Sequence, residues 1–409
     1  MKILYFVTTF PNPSETFIIS QIAGMIDRGF DVDIYALSSG DLNNTHELIE
    51  DYHLMDRVIY LNQPNLAGVR KFASRLGRIL KSILTKPSTM KGLNIIRYGR
   101  AAASLGLASA AKDLSWKHYD AVIAHFGYAG VYAQKLVDSG ILNAKLYPVF
   151  HGVELSDERY LSKYRNDYKK LFETSEKVIA ISELWCERLI NLGCPEEKIT
   201  LNRMGVDTKR FEFRNKEVTN DRLKVLTTGR LVEKKGIEYA IKAIARLKEG
   251  GTQIEYKIIG DGPLKENLIA LSNDLGLNDE VNFLGFCSQN KVKELLQDSD
   301  VFLLPSVTSK MGDMEGVPVA LMEAMAIGLI TVSTYHSGIP ELIEDKVSGF
   351  LAPERDFDAL ANILLTIVSN RVNLPDLRSE ARSKVECQFS QSVVYDELAE
   401  IVRLAGGNR

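Results

Sequence analysis

The chain predicts an α/β protein of two doubly wound halves that face each other across a cleft. Three observations carry that expectation. Strand-like apolar runs alternate with helical stretches from end to end, which is the pattern of parallel sheets covered by helices. One polar, charge-rich segment at 207–222 breaks the rhythm and reads as a linker. With 409 residues, 45% of them hydrophobic, each half is long enough to bury its own core. The expected boundaries are 1–206 for the first half and 223–388 for the second, with a C-terminal helix at 389–409 returning to the first.

In the first half the strand candidates are ILYFVT (3–8), DVDIYAL (31–37), AVIAHF (121–126), LYPVF (146–150), KVIAIS (177–182) and KITLNRM (198–204). Between the first two lies SETFIISQIAGMIDRG, where apolar residues recur three and four apart, a helical spacing. In the second half the strands are LKVLTT (223–228), IEYKIIG (254–260), VNFLGF (281–286), VFLLPS (301–306) and LITVST (329–334), each followed by a helix. Doubly wound sheets bind ligands at the carboxyl ends of their strands, so two such halves place a ligand cleft between those ends.

A net charge of only −3 gives no reason to expect nucleic acid. Cys186, Cys194, Cys287 and Cys387 are widely spaced and read as free thiols of a reducing compartment. The opening MKILYFVTTFP has an apolar run too short for a signal-peptide core, and no run approaches the ~20 residues of a membrane span, so a cytoplasmic protein is expected. Asp31-Val32-Asp33 has the spacing of a metal-binding D-x-D. It opens a strand, however, in which the acids alternate with Val32 and Ile34, and no metal is expected there.

The most informative stretch is EGVPVALMEAMAIG, Glu315 to Gly328. Pro318 suits a helix start and Gly328 its end. Gly316 allows close approach of a ligand, with Val317 and Val319 flanking a helix N-terminus whose free N–H groups attract anions or hydroxyls. Glu323 sits among apolar neighbours on nearly every side, and a buried carboxylate there needs a partner. A vicinal diol such as a ribose is one candidate and a buried cation is the other. Glu315, eight residues earlier, would approach the same ligand from the loop. In TGRLVEKKG, Arg230 and Lys235 lie at the end of a strand and beside a helix start, a metal-free diphosphate site, while Lys234 is expected to face solvent. The turn Gly260-Asp261-Gly262-Pro263 ends the next strand and would pass the same ligand.

These residues together resemble the retaining glycosyltransferases of family 4, which share the GT-B fold. The likeness runs on through Phe10-Pro11, Ser14-Glu15-Thr16-Phe17, Ala124-His125-Phe126-Gly127, His151-Gly152, Met204-Gly205-Val206-Asp207 and His336-Ser337-Gly338-Ile339-Pro340-Glu341, and is greatest to the colanic-acid and amylovoran branch. The resemblance implies that Glu323 holds ribose hydroxyls, Glu315 contacts the donor sugar near its anomeric carbon, and Arg230 and Lys235 neutralise the leaving diphosphate. It puts His151 against the transferred sugar, backbone at Gly285–Phe286 around the base, and His125, Phe126 and Gly127 on the acceptor side. Many family members carry a Gly-Gly turn after the first strand. Here Asn12-Pro13-Ser14-Glu15 replaces it, with Ser14 expected to cap the following helix and Ser14, Glu15 and Thr16 near the phosphates. The implied reaction moves a hexose from a nucleotide diphosphate sugar, UDP-galactose or UDP-glucose, to an undecaprenyl-diphosphate-linked oligosaccharide of bacterial exopolysaccharide, without metal. An epimerase of the same fold and a non-catalytic sugar-nucleotide scaffold are the rivals. The full set of Arg230, Lys235, Glu315 and Glu323 disfavours the scaffold.

Between Arg57 and Lys112 stand eleven Lys or Arg and no acid. Within this segment, Val69–Lys86 places Val69, Phe72, Leu76, Ile79, Leu80, Ile83 and Leu84 on one helical face, with Arg70, Lys71, Arg75, Arg78 and Lys81 on the other. The pattern fits peripheral attachment to the anionic inner leaflet, a helix packed on its own sheet, or a contact to the acceptor's diphosphate.

Overall fold

The computed structural model describes the chain except residues 13, 42–45, 63–67, 84–87, 215–221, 370–373 and 407–409. Its two parallel sheets follow the alternation in the sequence. The first contains β1 (Lys2–Phe10), β2 (Asp31–Ser39), β3 (Val58–Tyr60), β4 (Ala121–His125), β5 (Lys145–Phe150), β6 (Val178–Ala180) and β7 (Ile199–Leu201), in the order β3-β2-β1-β4-β5-β6-β7. The second contains β8 (Leu223–Thr228), β9 (Ile254–Ile259), β10 (Val281–Gly285), β11 (Val301–Leu303), β12 (Ile330–Thr334) and β13 (Phe350–Ala352), in the order β10-β9-β8-β11-β12-β13. The doubly wound α/β class is therefore as expected. The order reverses between β1 and β4 in one sheet and between β8 and β11 in the other, and each reversal opens a crevice at the strands' carboxyl ends.

The strands form because their side chains are apolar on both faces, as strands covered by helices on two sides require. Ile3, Leu4, Tyr5 and Phe6 of β1 are all sealed from solvent, as are Val301, Phe302 and Leu303 of β11. Two strands, β3 and β13, had no counterpart in the sequence reading. Each is three residues long and lies at a sheet edge, too short to show an alternation. Asp33 of β2 is paired rather than open to a metal. Lys117 Nζ lies 2.8 Å from its carboxylate, and the Tyr119 hydroxyl donates to it at 2.6 Å.

The chain crosses between the halves twice. Between β7 and β8, over the expected 207–222 linker, Asp207 accepts from the backbone N–H groups of Lys209 and Arg210, and Arg214 N–H donates to Ile327 O at 2.8 Å. Residues 215–221 of that linker lie outside the described residues. The second crossing is at Ser390, which forms a parallel bridge with Val206. The helix Gln391–Gly406 then packs on the helix Thr16–Asp27, where the Tyr395 ring lies so close to Gly24 that a Cβ there would stand 2.1 Å from it.

The sequence leaves the basic segment three readings, and the structure gives its orientation. The helix Gly68–Ile83 forms, but Arg75 and Arg78 point toward the domain. Arg75 donates to Asn62 at 2.6 Å, and Arg78 pairs with the half-buried Asp113. Val69, Phe72, Leu76 and Leu80 are exposed, and of the stripe's described residues only Ile79 is buried. Arg75 and Arg78 are thus seated on half-buried acceptors of the domain, which turns the cationic side of the helix inward and leaves the apolar stripe in solvent. Leu84 and Lys86 lie outside the described residues. Among those described, no helix is long and apolar enough to cross a membrane.

Candidate active site

Loops from the carboxyl ends of both sheets meet in the cleft. On the second half, Lys235 closes a short 3-10 turn, Glu233–Lys235, just after β8. Gly236 follows with φ +62°, and a Cβ there would lie 1.9 Å from Pro305 O, so only glycine lets the β8 and β11 loops touch. That contact brings Lys235 Nζ to 3.0 Å from Glu315 Oε1, with both side chains nearly sealed from water. The pair is an ion pair and not an aligned hydrogen bond, since Oε1 has no bonded partner by hydrogen-bond geometry. Burial would raise the Glu315 carboxyl, but the charges of Lys235 and Lys234 outweigh it and hold it below the ordinary glutamate value.

Lys234 does not face solvent as expected. It is buried, 3.0 Å from Asp313 Oδ1 and 3.2 Å from Met314 O. It therefore braces the loop that carries Glu315. A second brace is His336, whose Nε2 accepts the Glu315 backbone N–H at 3.0 Å. Its proton is thus on Nδ1 and is donated to Glu354 Oε1 at 2.6 Å, while Glu354 also accepts from Thr308 N–H. Ser337 Oγ donates to Glu315 O at 2.6 Å. Sequence reading carried His336 and Ser337 only as part of a motif and missed Glu354, because nothing local to residue 354 points to a loop forty residues earlier.

Gly316 presses directly on the first half, where a Cβ would stand 2.7 Å from His151 O. Val317 is buried behind it, and Val319 opens the helix Val319–Ile327, which ends at Gly328 in the left-handed conformation. Glu323 is half-buried in that helix and engages no ion pair among the described residues. Burial pushes its carboxyl up to about 7, with Arg210 pulling weakly the other way. A carboxyl raised by burial, with no hydrogen-bond or ion-pair partner among the described residues, is a position for a hydrogen-bond-donating ligand.

Arg230 is exposed and engages no ion pair among the described residues. Its charge is felt across the cleft by Glu15, whose carboxyl burial pushes up to about 7 against the pull of Asn12 and Arg230. Glu15 is itself the cap of the helix Thr16–Asp27, without a side-chain cap bond. Ser14 does not cap it as expected. The Ser14 hydroxyl donates to Asn12 Oδ1 at 2.9 Å, because Asn12 closes its own turn two residues on. Gly260 N–H donates to Gly285 O at 2.8 Å, tying together the ends of β9 and β10. Asp261 is held by Lys265 at 2.9 Å, and Phe286 is 75% exposed at the cleft's outer end.

On the first half, His151 follows β5 and is half-buried among Phe17, Phe126 and His125, with ring centroids at 4.9, 4.7 and 5.2 Å. Burial lowers its ring to about 3, so it is neutral. His125 is 1% exposed and lies behind His151, so it cannot meet an acceptor, and Gly127 is likewise covered by the Phe150 ring. Of the three acceptor-side candidates only Phe126 retains exposure, held at φ +71°. The loops after β4 and β5 are locked by Glu154, a residue the sequence did not single out. Its Oε1 accepts from His151 N–H at 2.8 Å and from Gly127 N–H at 3.2 Å.

The two halves are also joined beside the cleft. Glu341 of the second half accepts from Glu183 and Leu184 N–H, at 3.0 and 3.3 Å, and so caps the helix Glu183–Asn191 of the first.

The chain resembles known proteins along almost its whole length. The model described as Glycosyl transferases group 1 matches residues 208–384, and that described as Glycosyltransferase Family 4 matches residues 88–210. The chain is 44% identical over 408 residues to the amylovoran biosynthesis glycosyltransferase AmsK of Erwinia amylovora, covering 99% of this chain and 100% of that one. It is 42% identical over 405 residues to the putative colanic acid biosynthesis glycosyltransferase WcaL of Escherichia coli K12, covering 98% and 100%. Among solved structures, Anabaena Alr3699/HepE in complex with UDP and glucose superposes with a TM-score of 0.75 at 21% identity, covering 98% of this chain and 99% of that one.

Proposed function

Since this chain belongs to the family 4 glycosyltransferases, and is a transferase with the GT-B fold, we propose that it moves a hexose from a nucleotide diphosphate sugar, UDP-galactose or UDP-glucose, to an undecaprenyl-diphosphate-linked oligosaccharide in exopolysaccharide assembly. The relatives AmsK and WcaL, named for amylovoran and colanic acid biosynthesis, support the pathway. The HepE complex with UDP and glucose supports the donor class. The observation that carries the reading is the Lys235–Glu315 pair on one half, beside Gly316 in contact with the His151 backbone of the other, with Arg230 acting across the cleft on Glu15, at the two crevices where doubly wound sheets take ligands.

Each residue then has a chemical task. Glu323 receives the ribose hydroxyls in its ionised form. Lys235 and Arg230 stabilise the departing diphosphate, the first already oriented by its ion pair and the second without a protein partner among the described residues. Glu315 lies within reach of Lys235 and faces the sugar near the anomeric carbon, and the departing phosphate takes the acceptor's proton. The product retains the donor's configuration, and the two cations make the reaction independent of added metal. Gly316, Val317 and Val319 offer a helix start to the donor, while Gly260, Asp261, Gly285 and Phe286 border its base, and Ser14, Glu15 and Thr16 face its phosphates from the other side.

The exposed stripe Val69, Phe72, Leu76 and Leu80, with Met90 of the adjoining helix Ser88–Lys91 and the cations Arg70 and Lys81, supports seating on an anionic inner-leaflet surface beside the lipid-linked acceptor. The test of the main reading is donor turnover. Purified enzyme given UDP-galactose or UDP-glucose with a diphosphate-lipid acceptor should release UDP only when both are present. Release with water alone, or interconversion of the two donors, would overturn it.

A further inference from the structure

Behind His151 runs a chain of hydrogen bonds with no open end inside the protein. Tyr5 OH donates to Gln21 Oε1 at 3.2 Å, and the same oxygen lies 3.0 Å from His125 Nε2. His125 Nδ1 lies 2.9 Å from His151 Nε2. Tyr5 and His125 are sealed, Gln21 nearly so, and the Tyr5 ring stacks on His125 at 5.7 Å.

The proton positions follow from counting donors. Gln21 Oε1 can only accept, so His125 Nε2 carries the proton it shares. His125 is neutral because burial holds its ring well below the ordinary histidine value. Its Nδ1 is therefore bare and must receive a proton from His151 Nε2. Neutral His151 then has a bare Nδ1. Turning the Gln21 amide over would invert the chain, but it would leave the sealed Tyr5 hydroxyl facing an NH₂ group. Gln21 is the one acceptor that hydroxyl meets among the described residues, so the inverted form strands a buried donor. The bare His151 Nδ1 has no protein donor among the described residues, and it is not among the nitrogens sealed from solvent.

We infer that Gln21 and His125 are positioning residues: they fix His151 in the tautomer whose Nδ1 is an acceptor, so that His151 reads one hydroxyl of the transferred sugar. This rests on the donor reading above. Tyr5 holds Gln21 in turn. The arrangement excludes two other tasks for His151, because an unprotonated Nδ1 can neither donate to a phosphate oxygen nor bring positive charge to one.

The tautomer can be read without donor or turnover. Intact enzyme labelled with [¹⁵N]histidine, with the His151 signals identified by their loss in His151→Gln, should show a protonated Nε2 and a bare Nδ1. In Gln21→Met the His151 signals should move toward a mixture of tautomers, and Gln21→Glu, which keeps an acceptor oxygen, should restore them. Tyr5→Phe is the milder cut should Gln21→Met fail to fold. Kinetically, the wild type should discriminate UDP-glucose or UDP-galactose against one monodeoxy analogue by about tenfold or more, the worth of a neutral hydrogen bond. That discrimination should fall in Gln21→Met with the acceptor KM unchanged. A proton on His151 Nδ1 in the wild type would overturn the inference while leaving the donor reading intact. Equal use of every monodeoxy analogue would overturn the hydroxyl reader. Failure of either UDP-sugar to bind an enzyme showing the expected tautomer would instead remove the donor reading, and with it the hydroxyl reader.

Discussion

Lys235 and Glu315 offer a perturbation that separates holding the fold from doing chemistry. Their charges lie 3.0 Å apart with side chains 14% and 9% exposed. Lys235→Met alone leaves a buried carboxylate whose main support is gone, a change that costs about 3–5 kcal/mol for a buried pair. Lys235→Met with Glu315→Gln leaves no charge behind and should recover most of that loss, a coupling of at least ~2 kcal/mol. The pH dependence should change sign as well. In the wild type the Glu315 carboxyl is held below its ordinary value of 4.5, so its contribution is present above that pH and is lost as pH falls. In Lys235→Met, burial prevails and the folded carboxyl rises above 4.5, so stability should decline as pH climbs from about 4.5. Urea denaturation of the wild type, Lys235→Met, Glu315→Gln and the double variant at pH 5 and pH 8 measures both effects. Initial rates give the other half: the stable double variant should still transfer at least ~100-fold more slowly, as loss of one preorganised donor to a developing anion does. Additive stabilities would show that no such pair exists in solution, and wild-type rates in the double variant would remove both residues from the reaction.

Arg230→Ala should slow transfer at least ~100-fold, and transfer by the wild type should survive EDTA and give an α-linked product by NMR; strict dependence on Mg²⁺ or Mn²⁺, or a β-linked product, would refute this account. Glu323→Ala should weaken UDP binding by about 1.5–3 kcal/mol. Because the free carboxyl titrates at about 7 and the ribose bonds to its charged form, wild-type affinity for UDP should rise between pH 6 and pH 8, and calorimetry showing a flat profile would count against it. Phe72→Ser with Leu76→Ser and Leu80→Ser should abolish sedimentation with anionic liposomes at low salt without changing the melting temperature. Charge reversal at Arg78 should instead unfold the helix from its domain, because Asp113 loses its partner.

Much of this was legible because the repeating unit is local. Strand, helix and glycine turn recur within thirty residues, and the sheets follow from apolar runs such as Ile3–Phe6 whose meaning does not depend on distant partners. Lys234 shows where legibility stops. Its sequence neighbours are a glutamate and a lysine, the pattern of a solvated turn, and the acid that buries it is Asp313, seventy-nine positions away. The helix Gly68–Ile83 stops at the same limit: its periodicity shows two stripes, but which of them faces in depends on Asn62 and Asp113, which the periodicity does not reveal. His125 was placed one layer too far out. Its motif neighbour Phe126 reaches the surface, and only the alternation of a strand end, seen in three dimensions, turns the histidine inward.

The two crossings of the chain have a mechanical consequence. Val206 N–H donates to Phe389 O at 2.8 Å and Gln391 N–H donates to Val206 O at 2.9 Å, so the outgoing and returning strands are stitched side by side. Two separate tethers would let the halves shear or twist past each other. Two stitched tethers define one axle, and the motion that costs least is a swing about it, like a door on a single pin. Gly205 sits at this axle, where a Cβ would come within 3.0 Å of the Gln391 backbone, so Gly205→Val should stiffen or misalign the swing while leaving both sheets intact. Small-angle scattering with and without UDP should then show a smaller change in radius of gyration than in the wild type, and an undiminished change would mean that the pin lies elsewhere.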